Sequence, residues 1–184
     1  PLAPAMREYH QRLGAPPQSL AALERLARGE VVCSVTGQQP APLGGPLYAL
    51  HKTASAIGLA RVFEERTGLG CVPLYWMHGE DSDFEEIRSA TVFDGQLAIH
   101  DLAIPASFHA DGGLVGSIPA EAITALQQDA VRCWDGMPGQ AAAAALLNGA
   151  LARARDLGEA CSALALAMFG AFGLVVVDPR LPEF

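Results

Sequence analysis

Positive charge is scarce in this 184-residue sequence: 12 lysines and arginines stand against 20 aspartates and glutamates, a formal net charge of −8. An acidic chain repels phosphate backbones, which argues against broad nucleic-acid binding but leaves room for a local pocket for a small anion. Cysteine is scarce too. Cys33, Cys71, Cys133 and Cys161 form no C-x-x-C pair, and no histidine stands at metal-ligand spacing from them, so no metal site is expected. The chain is neither short nor loop-rich, so the four are read as reduced, mostly buried thiols of a cytoplasmic protein. No apolar run reaches about 18 uninterrupted residues, and no membrane span is expected. No basic-then-apolar leader is present, and the first residue is Pro1; the expectations are an unexported protein and a missing true N-terminus.

What is plentiful is apolar: 51% of the residues are hydrophobic, enough for a packed core and too many for wholesale disorder. The length suits one domain, or one domain plus part of another. Residues 1–30 read as a polar helical segment, with Ser19 capping a helix from Leu20 to Arg28. Residues 31–184 read as one α/β domain. Val31 to Val35 is short, apolar and β-branched, a buried strand. Thr36 to Gly45 reads as a loop, and Pro46 fits the first turn of a helix that ends near Gly68. Cys71 to Trp76 is a second strand, so residues 31–76 have the size of a βαβ unit with parallel strands. Asp94-Gly95 between two short apolar runs signals a hairpin. Ser117 or its neighbour caps another helix, an Ala-rich helical stretch runs from about Gln140 to Phe169 with interruptions at Gly149 and Gly158, and Leu174 to Val177 is a last strand. The expected fold is a mostly parallel sheet flanked by helices, incomplete in this chain because the last strand lacks a specified crossover partner.

Two segments carry the chemistry. The first is Thr36-Gly37-Gln38-Gln39 leading to Gly44-Gly45-Pro46-Leu47-Tyr48, between a strand and a helix N-terminus. Backbone N–H groups and the helix dipole suit an anion there, and ligands of open α/β sheets sit outside the carboxyl ends of strands. The loop matches neither common phosphate-loop pattern, and a plain loop with glycines for tight turns is an equal alternative. Lys52 lies under two turns into the helix and can reach forward to such an anion. The second segment is Trp76-Met77-His78-Gly79-Glu80-Asp81-Ser82-Asp83-Phe84-Glu85-Glu86, at the mouth of the second strand. Glu85 and Glu86 suit a helix's first turn. Glu80, Asp81 and Asp83 are candidates for substrate contact or proton transfer, and crowding between Asp81 and Asp83 is expected to raise the pKa of one. His78 beside them is a candidate base.

Together these segments resemble the cysteine-adding family of bacillithiol synthesis, BshC. The resemblance rests on Thr36-Gly37-Gln38-Gln39, Gly45-Pro46-Leu47-Tyr48, Lys52, Val72-Pro73-Leu74-Tyr75-Trp76 and Glu80-Asp81-Ser82-Asp83-Phe84-Glu85-Glu86. It is dense over residues 31–87, thin over 95–165, and resumes at Phe172 to Pro179. It implies a Rossmann-like core, with connecting domains and a coiled coil supplied later in the chain. It also implies a ligase that joins L-cysteine to the amino group of a glucosamine–malate conjugate. ATP or another nucleotide is the expected activator of the cysteine carboxylate, and a homodimer of the full-length protein is left open. Catalytic roles fall to His78, Asp81 and Asp83. Substrate contacts fall to Thr36, Gly37, Gln38, Gln39, Gly45, Tyr48, Lys52, Trp76, Glu80 and Ser82. The family usually has histidine where this chain has Ser82. That departure keeps two other readings open: a related ligase or transferase with another amine acceptor, and a non-catalytic sugar- or nucleotide-binding module.

Overall fold

The computed structural model describes residues 2–184. Helices α1 (Leu2–Arg12) and α2 (Pro17–Ala27) precede strand β1 (Val31–Gln38), helix α3 (Leu47–Thr67) and strand β2 (Gly70–Met77). A one-turn helix α4 (Phe84–Ile87) leads into the hairpin β3 (Ser89–Phe93) and β4 (Ile99–Ala103). Helices α5 (Glu121–Cys133), α6 (Gln140–Leu151) and α7 (Leu157–Phe169) follow, and β5 (Val175–Val177) comes last. The main sheet has the order β1-β2-β5, all parallel; β3 and β4 form a separate antiparallel pair. The α/β reading with a parallel sheet flanked by helices is thus what the chain forms.

β2 is central, and its two faces separate the layers. Val72 and Leu74 join Met6, Ala22, Leu23, Val175 and Val177 in a core under α1 and α2. Tyr75 and Met77 point the other way, into a larger core with Val176 and the buried residues of α5, α6 and α7. α3 lies on the sheet through Ala49, Thr53, Ala56 and Ala60, whose small side chains allow close approach, and through Ile57. It ends at Gly68, whose φ of 71° is left-handed, as expected of a glycine C-cap. Complete burial of Val175 and Val176 contributes about 1.5–3 kcal/mol each.

Several local expectations change. β1 does not stop at Val35; its register with β2 continues through Gln38↔Met77. Pro46 is the N-cap and the helix starts at Leu47. Ser19 caps nothing: it is buried within α2, and its hydroxyl donates to the carbonyl of Leu174. Pro17 instead opens that helix. Ala120 rather than Ser117 precedes α5. The Ala-rich stretch divides between Ala152 and Asp156, not at a glycine, because Asp156 caps α7 by accepting the N–H of Glu159. The hairpin strands are joined by residues 94–98 rather than by a two-residue turn, with the Asp94 carboxylate accepting the N–H groups of Gln96 and Ala98.

Glu159 gives the fold an acid-sensitive tie. Its side chain is 3% exposed and accepts hydrogen bonds from the guanidinium groups of Arg12 and Arg155 and from the Arg155 N–H. Burial raises its pKa, but these bonds outweigh burial and hold it at about 2. A carboxyl depressed on folding stabilises above its unfolded pKa, and the stabilisation is lost as pH falls through the folded value. Urea unfolding is therefore expected to show on the order of 3 kcal/mol lost between about pH 5 and pH 2. Glu159→Gln should remove most of that slope. An unchanged slope in the variant would assign the acid sensitivity elsewhere.

Candidate functional site

The carboxyl ends of β1 and β2 lie side by side, because Gly37 pairs with Trp76 and Gln38 with Met77. The pairing needs glycine at position 37: a Cβ there would come within 2.6 Å of the Trp76 carbonyl oxygen. A hydrogen bond joins the two strand ends: the His78 N–H donates to the Gln38 carbonyl at 3.1 Å.

Lys52, the only lysine in the sequence, reaches forward from α3 to this edge. Its ammonium donates to the Gly37 carbonyl at 2.6 Å and to Gln38 Oε1 at 3.2 Å, and lies 5.7 Å from the centre of the Tyr48 ring. Both hydrogen-bond acceptors are neutral. The charge is therefore held in place, no carboxylate of the described residues forms a salt bridge with it, and an ammonium has a third donor to offer.

Gln39 joins the two sequence segments. Its Nε2 donates to Asp81 Oδ2 at 2.8 Å and to Glu86 Oε2 at 3.1 Å. Asp81 Oδ1 also accepts the N–H groups of Ser82 and Asp83. The Asp83 N–H first, and then Gln39, hold the Asp81 carboxyl below its ordinary range. This overturns the expectation of crowding for Asp81: bound donors favour its charged form. The Asp83 carboxylate accepts the Glu86 N–H at 3.2 Å and caps α4.

Trp76 is half-buried and donates from Nε1 to Glu80 Oε1 at 3.2 Å. His78 is exposed, with Nδ1 3.8 Å from the same oxygen and its ring 6.4 Å from Trp76. Phe184 stands edge-on to Trp76 at 5.9 Å. Ser82 is exposed and contributes its N–H to the loop rather than its hydroxyl. Thr36 is half-buried in β1 opposite Tyr75. Gly45, with φ of 84°, turns the chain into α3. The N–H groups of Gly44 and Gly45 are spent on Ala41 and Pro42 within that turn, so these two amides add no donor toward an anion. Lys52 is the fixed positive group instead. The expected residues otherwise meet at one edge, with Gln39 and His78 as the junctions.

Arg180 was not foreseen. It follows β5 on the same edge and is 12% exposed. Its guanidinium donates to Asp178 at 2.7 and 3.0 Å and to Asp156 at 3.0 and 3.2 Å. Burial opposes its charge, but these carboxylates outweigh burial and hold it ionised. It fills a slot walled by three glycines. A Cβ on Gly79 would lie 2.7 Å from its Nε, one on Gly116 would lie 2.8 Å from its Cζ, and one on Gly158 would overlap it. Gly79 immediately precedes Glu80, so Arg180 pins the base of the acidic loop. Glu86 was assigned only to a helix's first turn; it also reaches Gln39. No local sequence signal distinguishes Arg180, whose partners come from distant segments.

All four cysteines are free; Cys71 and Cys161 are buried, and Cys33 and Cys133 partly so. Burial pushes the Cys161 thiol up to about 12, so it does not offer a nucleophile. Among the described residues there is no cluster of metal-binding side chains, and no helix is long and apolar enough to cross a membrane.

Comparison with known proteins bears on the whole chain. The family model for "Bacillithiol biosynthesis BshC, N-terminal Rossmann-like domain" matches residues 1–184. A relative from Desulforamulus reducens, named "Putative cysteine ligase BshC", is 29% identical over 184 residues, covering 99% of this chain and 33% of its own length. One of the same name from Oceanobacillus iheyensis is 42% identical over 88 residues, 48% of this chain and 16% of its own. One from Natranaerobius thermophilus is 27% identical over 185 residues, 97% of this chain and 33% of its own. The chain thus spans about a third of the length of the relatives that it matches throughout.

Proposed function

The chain belongs to the BshC family of bacillithiol biosynthesis, as its N-terminal Rossmann-like domain, and on that premise we propose that it forms the acceptor-binding part of a cytoplasmic cysteine ligase. The reaction joins the carboxyl of L-cysteine to the amino group of a glucosamine–malate conjugate. An amide bond from a free carboxylate needs that carboxylate activated, and a nucleoside triphosphate is the activator this chemistry calls for.

The observation that carries the reading is Lys52, a single fixed cation with neutral partners at the carboxyl edge of the sheet. A malyl group brings carboxylates to that place, and charge-assisted bonds to them are worth about 1.5–3 kcal/mol each. Gln38 stands beside it as a neutral partner for sugar hydroxyls, and Gln39, whose Nε2 is spent on Asp81 and Glu86, offers its carbonyl oxygen as an acceptor, with Thr36 and Tyr48 at the rim. Trp76 and Glu80 wall the other side. Asp81 and Asp83, already occupied with Gln39 and backbone N–H groups, shape the loop. His78 is then the group that takes the proton from the attacking amine.

The test uses the full-length gene product with L-cysteine and ATP. Glucosaminyl-malate should give the amide, seen by mass spectrometry. Lys52→Met should raise the KM for this acceptor roughly 10–100-fold and change it little for glucosamine, which has no carboxylates. Lys52→Arg should recover part of the loss. Turnover only with a different amine would favour the related ligase. Binding of the conjugate without turnover would favour the binding module. Equal effects of Lys52→Met on both acceptors would remove Lys52 from the malyl site.

A further inference from the structure

The β3–β4 hairpin forms no part of the main sheet, and its two faces are unlike. The inner face is turned to α5; there Val92 is buried and Leu102 packs against the larger core. On the outer face Thr91 pairs with Asp101, to which its hydroxyl donates at 2.6 Å, and Phe93 pairs with Ile99. Leu97 stands at the tip, in the connection between the two strands. Phe93, Leu97 and Ile99 are 52%, 78% and 64% exposed. Three large apolar side chains thus stand together in water, and contiguous patches of this kind mark contact surfaces.

Leu97 is also held in a backbone conformation that leucine avoids. Its φ is 64°, in the left-handed region that glycine and asparagine enter readily and other residues rarely do. The turn imposes it. The Leu97 N–H donates to the Asp94 carbonyl at 3.0 Å, and the Asp94 carboxylate accepts the N–H groups of Gln96 and Ala98 on either side. His100 Nε2, 2.9 Å from the other carboxylate oxygen, holds Asp94 in turn. For the turn alone asparagine would serve better. Leucine adds strain and apolar exposure, and nothing within the described residues buries its side chain. Such strain persists where a function outside the turn needs the side chain.

We infer that the outer face of the hairpin is covered by the polypeptide of the same chain beyond residue 184, with Leu97 as the anchor. Two observations choose this occupant. Two thirds of the length of the relatives matched throughout lies outside the matched region. The described residues also end on the side of the sheet from which the hairpin springs. Phe184 packs on Trp76, near the carboxyl end of β2, and α4 and β3 follow directly from that end. A second copy of this face suits less well. It carries Asp101 and is flanked by Asp94, in a chain of net charge −8, so two copies face to face bring like charges together. The inference rests on family membership and not on the ligase reading.

The full-length gene product tests it without reference to activity. Asparagine fits the left-handed backbone, so at an open tip Leu97→Asn would leave Tm unchanged or raise it. With the face covered, loss of the anchor is expected to lower Tm by roughly 3–6 °C. Phe93→Thr combined with Ile99→Thr keeps β-branched residues in the strands and should lower Tm as well. Maleimide labelling mapped by mass spectrometry gives a second readout. Cysteine at 97, in Leu97→Cys, should react at least about 10-fold more slowly than cysteine at 111, in Asp111→Cys, at every protein concentration. Position 111 is an exposed loop site. An unchanged or raised Tm in Leu97→Asn, or equal labelling at the two positions, would show an open face and overturn the inference. Protection lost on dilution would overturn it in favour of a second copy of the chain.

Discussion

Replacing Arg180 by methionine is expected to destabilise the domain by about 3–5 kcal/mol, the usual cost of removing one partner from a buried ion pair. The methionine keeps much of the stem's volume but leaves the Asp178 and Asp156 carboxylates without their cation. Asp178 has a side-chain exposure of 3%, and Tyr9 and the Arg180 N–H are its only other described donors. Urea unfolding of the single variant and of Arg180→Met combined with Asp178→Asn would measure this. The second substitution should recover part of the loss by removing the stranded charge. A loss under about 1 kcal/mol in the single variant would mean that water reaches both carboxylates and that the slot is not closed. Because the guanidinium is pressed against Gly79, the same variant should also loosen the segment that carries Glu80.

What the sequence showed directly was what local chemistry encodes. The β-branched run at Val31, the glycine C-cap at Gly68 and the apolar run at Cys71 define a strand, a helix and a strand, and they were readable as a βαβ unit. The extension of β1 through Gln38 was not readable, because Thr-Gly-Gln has loop composition. It is held in the sheet by its register with Tyr75, Trp76 and Met77, a long-range effect. The break between α6 and α7 was misplaced for a similar reason. Gly149 and Gly158 sit inside helices, whereas the chain turns where Asp156 caps the next helix and bridges to Pro119. At the site, the two motifs were legible as motifs, but not the Gln39–Asp81 contact that joins them. That contact also decides the electrostatics, since it helps to keep Asp81 charged when crowding alone would have raised its pKa.

That electrostatic result narrows the choice of base. Gln39 and two backbone N–H groups hold Asp81 in its charged form, which makes it a poor base, and the Asp83 carboxylate is tied to the helix it caps. His78 is exposed, lies within 3.8 Å of the Glu80 carboxylate and stands beside Trp76 at the strand mouth. An imidazole can accept a proton near neutrality and a serine hydroxyl cannot. His78→Ala is therefore expected to lower kcat for cysteine ligation by roughly 100-fold or more. Ser82→Ala should change kcat less than about 3-fold, because the part of Ser82 that the loop uses is its N–H, which alanine retains. Ser82→His, which restores the residue usual in the family, should be tolerated or should raise the rate. The measurement is kcat against pH for the three variants in the full-length protein, with acceptor KM followed in parallel. Loss of activity in Ser82→Ala with His78→Ala unaffected would assign the hydroxyl a positioning contact to substrate. The proton would then have to leave by a group other than His78.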